Sequence, residues 1–121
     1  MKSYFLNLML MLLFSLTSLQ TIAQTKTNKV VTDTITIKGN CGECKTRIEE
    51  AAYVKGVKTA EWNKKTKILT VVYNSEKTSM DKIQTSIAKA GHDSEHHTAS
   101  DKSYKSLPSC CAYRTGVCEH D

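Results

Sequence analysis

The stretch "KGNCGECKTRIEE", Lys38 to Glu50, decides how the rest of the chain is read. Gly39 and Gly42 bracket Cys41 and mark a loop. From Glu43 the spacing changes. Cys44, Ile48, Ala51 and Ala52 recur at i, i+4, i+7 and i+8, one stripe of a helix, while Lys45, Arg47, Glu49 and Glu50 fall largely off it. The C-x-x-C pair therefore has Cys41 in the loop and Cys44 near the first helical turn. Three chemistries use such a pair: a soft-metal clamp, a redox couple and a structural disulfide.

Upstream, "VVTDTITIKG" alternates as a strand, with Val31, Ile35 and Ile37 on one face and Asp33 breaking the pattern once. Downstream, the glycine of Lys55 to Val57 stops the helix. "VKTAEW" and "KILTVVY" are two strand candidates joined by the polar turn "NKKTK"; the second is dense in the β-branched and aromatic residues that strands favour. Trp62 and Tyr73 read as sheet residues in or near the core. "SEKTSMDKIQTSIAKAG" is a second helix, capped by Thr78 or Ser79, with Asp81 in the first turn where the helix dipole favours an anion. Met80, Ile83, Ile87 and Ala90 form its apolar stripe, and Gly91 ends it. "HDSEHHTA" is polar enough to read as loop on its own, but its position makes it the last strand. The order strand, helix, strand, strand, helix, strand predicts an α+β fold. It is a ferredoxin-like βαββαβ sandwich, a four-stranded antiparallel sheet with two helices on one face.

The ends read differently. Lys2, the apolar run "FLNLMLMLLFSLTSL" and the small-residue site in "QTIAQ" have the layout of a secretory signal peptide over residues 1–23. The run is about 15 residues, short of the roughly 20 a membrane span needs. The expected product is exported, periplasmic or secreted. It comprises a short polar segment (24–29), one domain (30–99) and a cysteine-rich C-terminal tail (100–121) too poor in apolar residues for a core of its own. A chain of this length buries one modest core.

Composition excludes several functions. Seventeen basic and twelve acidic residues give a net charge of +5, but the charges are interspersed. No basic run with interleaved aromatics is present, so nucleic acid is not an expected partner. No acid–base pair, nucleophile–histidine set or phosphate loop stands out, and the chain does not read as an enzyme. Five cysteines are an odd number, so at least one thiol is left for a metal, another chain or the solvent.

With "CGECKTRIEEA" after a first strand, then "KGVKTAEWNKKTKILTVVYN" and "IQTSIAKAGHD", the chain from about Val30 to Thr98 resembles the heavy-metal-associated domain family. That family includes small copper chaperones, periplasmic mercury-binding proteins and the N-terminal modules of metal-pumping ATPases. The resemblance implies the same βαββαβ order, with the metal pair in the loop before the first helix. It also implies a metal-transporting membrane protein or another metallochaperone as partner. In the family the loop after the second helix lies beside the metal loop, which makes His92 a candidate third ligand or a proton-linked neighbour. One departure is clear. The family commonly has a methionine two residues before the first cysteine, packed under the loop; here Gly39 stands there, followed by Asn40. A loop without that anchor is expected to be more mobile.

Two thiolates select soft ions, Cu(I) foremost, with Hg(II), Ag(I) and Zn(II) as competitors. Two ligands satisfy a near-linear Cu(I), Ag(I) or Hg(II), whereas tetrahedral zinc wants four. The helix N-terminus and nearby Lys45 favour the thiolate form. His96 and His97 read as solvent-facing. In the tail, Cys110, Cys111 and Cys118, with His120, form a second soft-ligand cluster: either an auxiliary metal site or a disulfide to Cys118. The competing reading is an exported thiol–disulfide redox protein using Cys41 and Cys44. That chemistry usually places a proline opposite the pair, and Pro108 in the tail is the single proline. A structural Cys41–Cys44 bridge would close too short a loop to stabilise much.

Overall fold

The computed structural model describes Tyr4 and residues 29–116. Its elements are β1 (Val30–Thr36), α1 (Gly42–Ala52), β2 (Val57–Trp62), β3 (Ile68–Asn74), α2 (Met80–Lys89), a short α3 (Asp101–Lys105) and a single 3₁₀ turn (Ser109–Cys111). The expected leader and Cys118 and His120 lie outside the described residues. Among the described residues no helix is long and apolar enough to cross a membrane.

The alternation in the strands decides the sheet. β3 runs down the middle, antiparallel to both neighbours, in the order β1-β3-β2. Leu69 is opposite Ile35 on one side and Trp62 on the other. Ile35, Ile37, Ala60, Trp62, Leu69, Val71 and Tyr73 form one buried face. Asp33, the break in the β1 pattern, is exposed and accepts a 2.7 Å hydrogen bond from the Tyr73 hydroxyl. Asn63 Oδ1 closes the β2–β3 turn by accepting from the amides of Lys65 and Thr66.

Both helices lay their stripes on that face. α1 contributes Cys44, Ile48 and Ala52; α2 contributes Ile83 and Ile87, with Met80 partly buried. Ser79, rather than Thr78, caps α2, its hydroxyl accepting from Lys82 N. Glu49 ties α1 to β2 by accepting from Trp62 N at 2.8 Å.

The fourth strand is reduced to a single bridge between Ile37 and Ser94. Lys38 N donates to Asp93 O at 2.8 Å, but the chain then turns, with Ser94 N bonded to His97 O. The amide of Thr36 is met by the Glu95 carboxylate, not by a strand carbonyl. The reason is compositional. After His92 this segment has no apolar alternation to bury, and its polar side chains satisfy the backbone locally.

The tail does not float. Ser100 caps α3 through Ser103 N. The chain then passes Gly91 so closely that a Cβ there would sit 2.8 Å from Leu107 Cγ and from Ser103 O. Gly91 has φ +104, so it serves both the helix stop and this approach. The few apolar groups of the tail extend the domain's core: Cys111 is fully buried within it and Leu107 packs against it.

The metal loop also has its anchor. A Cβ on Gly39 would lie 3.0 Å from Cys44 Cβ, 3.2 Å from Ile48 Cδ1 and 3.2 Å from Trp62 Cη2. The Trp62 indole fills the space beneath the loop, and its Nε1 donates to Ile37 O (3.1 Å) and Lys67 O (3.2 Å). Gly39 is therefore small because Trp62 is large, and the loop expected to lack support is packed from below.

This predicts a coupling. Trp62→Ala should cost about 3–5 kcal/mol. Gly39→Ala should cost about 1–3 kcal/mol in the wild-type background by overpacking, and distinctly less in the Trp62→Ala background. Urea unfolding of the four proteins checks it. Additivity within about 0.5 kcal/mol would show that the two side chains do not compete for one space.

Candidate metal centre

Cys41 is the residue before α1, in extended backbone (φ −133, ψ 179), and Cys44 lies in the first helical turn. One turn of helix brings their sulfurs to 3.5 Å. Asn40 N donates to Cys44 Sγ at 3.3 Å. The tail supplies a third sulfur: Cys111 Sγ is 4.0 Å from Cys41 Sγ, and the Cys41 thiol donates to Cys110 O at 3.4 Å. The sulfurs of Cys41, Cys44 and Cys111 all lie within 4.8 Å of one another. All three residues are buried. Cys110 is half-buried, its sulfur 4.0 Å from that of Cys111.

Burial alone would push the Cys41 thiol up. The backbone amide and thiol of Cys44, then the Glu43 amide and the Cys111 thiol, outweigh it and hold Cys41 below the ordinary thiol value. The Cys44 and Glu43 amides are among the unpaired N–H groups that open a helix. Lys45 has no part in this: its Nζ pairs with Glu49 Oε1 and donates to Trp62 O at 2.9 Å. The sequence-based expectation that Lys45 favours the thiolate is thus replaced by backbone amides. Cys111 is pushed up, first by burial and then by Cys44 and Cys41 beside it.

The loop after α2 does lie beside the metal loop, but His92 is not grouped with the sulfurs. Its ring is fully buried, Nδ1 bonds Lys38 O at 2.9 Å, and its face stacks on Tyr113 with centroids 5.4 Å apart. Next to it, buried Asp93 receives Arg114 through two bonds: Nη2 to Oδ1 at 2.7 Å and Nε to Oδ2 at 3.1 Å. Arg114 also donates to Ala99 O, and its guanidinium lies over the Tyr104 ring. The Tyr113 hydroxyl donates to Gly91 O and accepts from Asp93 N. Burial would raise the Asp93 carboxyl, but Arg114 and the Ala99 amide hold it below its usual value. Tyr113 and Arg114, which no sequence motif singles out, thus fasten the tail that carries Cys111. Of the other candidates, His97 Nε2 pairs with Asp81 at 3.1 Å and His96 is exposed.

A donor set of three sulfurs without carboxylate or imidazole suits soft, not hard, cations. An α+β domain with a C-x-x-C pair opening its first helix, and a third sulfur beside the pair, has the donor set of a soft-metal module. Residues 34–93 match the model of the heavy-metal-associated domain, and through them the chain belongs to that family. Among solved structures, the CopZ metallochaperone is 26% identical with a TM-score of 0.51, over 53% of this chain and 98% of its own. A putative copper-ion-binding protein from Bacillus anthracis str. Ames is 23% identical with a TM-score of 0.53, over 56% of this chain and 99% of its own, a likeness of fold. Oxidized MerP from Ralstonia metallidurans CH34 is 28% identical with a TM-score of 0.47, over 54% of this chain and 96% of its own. No curated protein matches the chain significantly.

The buried imidazole predicts a pH dependence. Burial, first, and the Arg47 charge lower the His92 pKa, against the opposing pull of Lys38 O and Asp93. Below the ordinary value of 6.5 the unfolded chain binds the proton and the folded one resists it. Stability is therefore full above that pH and falls as the pH drops below it, with a slope approaching about 1.4 kcal/mol per pH unit. Urea midpoints from about pH 7.5 down to about pH 5 should show this fall, and His92→Asn should flatten it. An unchanged slope in the variant would remove His92 as the cause.

Proposed function

We propose that this protein is an exported carrier of a soft heavy-metal ion, Cu(I) first, with Hg(II), Ag(I) and Zn(II) as weaker claims. It binds through Cys41 and Cys44 and passes its cargo on by ligand exchange. The observation that carries the reading is the 3.5 Å sulfur pair at the amide-rich start of α1, in a heavy-metal-associated domain. The amides favour the thiolate of Cys41, the form that binds metal. Cu(I) and Ag(I) leave room in their coordination sphere for an incoming thiol, so cargo can leave by exchange without ever being free.

The likeness to a metallochaperone supports carriage, with a metal-transporting membrane protein or another metallochaperone as the receiving partner. The leader-like residues 1–23 support export to the periplasm or the outside. The role is binding, not catalysis. The redox alternative draws on the same lowered Cys41 thiol and close sulfurs, but Pro108, the single proline of the chain, stands in the tail before the 3₁₀ turn with its carbonyl bonded to Cys111 N.

Titration of the reduced protein with Cu(I) against a coloured Cu(I) chelator tests the reading. One equivalent should bind, Zn(II) should not displace it, and Cys41→Ser/Cys44→Ser should lose binding. Unchanged stoichiometry in the double variant, or metal-independent turnover in an insulin-reduction assay, would contradict it.

A further inference from the structure

We infer that the C-terminal tail completes the metal site: Cys111 is a third thiolate ligand to the ion held by Cys41 and Cys44, and the Tyr113–Arg114 latch positions it there. This rests on the proposed soft-metal reading and deepens it.

The heavy-metal-associated match ends at residue 93, and the sequence beyond it has no apolar pattern that requires it to fold back. Yet it does fold back, and it brings a cysteine to the pair. Cys111 Sγ reaches within 4.0 Å of Cys41 Sγ, and the three sulfurs lie within 4.8 Å of one another, close enough to share one ion. The approach is built, not incidental. Pro108 O accepts from Cys111 N at 2.8 Å and sets the 3₁₀ turn. Gly91 leaves room for Leu107 and the chain beside it. Two residues past Cys111, Tyr113 bonds Gly91 O and the Asp93 amide; one residue further, Arg114 makes its two bonds to the Asp93 carboxylate. Cys110 contributes in another way. Its carbonyl receives the Cys41 thiol, and its sulfur is 4.0 Å from that of Cys111.

The chemistry follows. On binding, the thiols release their protons to solvent and three sulfurs donate to one soft cation; nothing is oxidised or reduced. A buried three-sulfur site holds cargo more tightly than an open pair. Cys111 is a ligand; Asp93, Tyr113 and Arg114 are positioning residues.

X-ray absorption of the reduced full chain loaded with one equivalent of Cu(I) tests this. Three sulfur neighbours are expected in the wild type, two in Cys111→Ser, and three in Cys110→Ser. Cu(I) affinity, by chelator competition, should fall at least roughly tenfold in Cys111→Ser. Arg114→Ala should lower the mean sulfur count while leaving the stoichiometry at one. The wild-type count needs no variant to fold, so destabilised Cys111→Ser protein does not blunt the test. Two sulfurs in the wild type, with binding abolished by Cys41→Ser/Cys44→Ser, would overturn the third ligand and leave the pair standing. Full binding by the double variant would overturn the reading beneath it.

Discussion

The peptide of Lys38 is held on both sides by the segment after α2: its amide donates to Asp93 O, and its carbonyl meets His92 Nδ1. This junction joins the metal loop, the end of α2 and the tail. His92 and Asp93 are polar and buried, where an unpaired group destabilises the fold. His92 takes Lys38 and stacks on Tyr113; Asp93 takes the Ala99 amide and Arg114. The fourth strand is given up here and the tail is captured here, for one reason. Asp93 and Ser94 of "HDSEHHTA" bond the Ala99 and His97 amides through their side chains, and only the Ile37–Ser94 bridge of a ladder remains.

The consequence for the site is enclosure. A pair of thiolates on an open loop would suit rapid exchange, but it would also be exposed to oxidation. In this chain Cys41 is 7% exposed and Cys44 and Cys111 are 0% exposed. The tail thus covers the sulfurs while bringing one of its own. Trp62 completes the enclosure from beneath, where its indole stands in the volume that Gly39 leaves.

The helices and three strands were legible in the sequence because burial imposes period: 3.6 on the Cys44–Ile48–Ala52 stripe, two on Leu69–Val71–Tyr73. The cysteine pair was legible because it sits where that period begins. The partnership of Gly39 with Trp62 was not, since it depends on two residues 23 positions apart meeting between the β1–α1 loop and the end of β2. The odd cysteine count was the one hint that a tail thiol had other business, but nothing local said which. Cys111 finds its place through Arg114 and Asp93, an ion pair spanning 21 residues, and pattern alone does not reveal such pairings. The same holds for His92. The family resemblance, not a pattern in the residues, implies that its loop lies beside the metal loop, and the direction of its ring is set by Lys38 O and Tyr113.

The central claim is that sulfurs from two ends of the domain meet around one soft ion. Proton–silver scalar couplings in the reduced full chain carrying one equivalent of Ag(I) read this residue by residue. The account predicts couplings from a single silver ion to the β-protons of Cys41, Cys44 and Cys111. Couplings to Cys41 and Cys44 with none to Cys111, or couplings confined to tail cysteines, would contradict it.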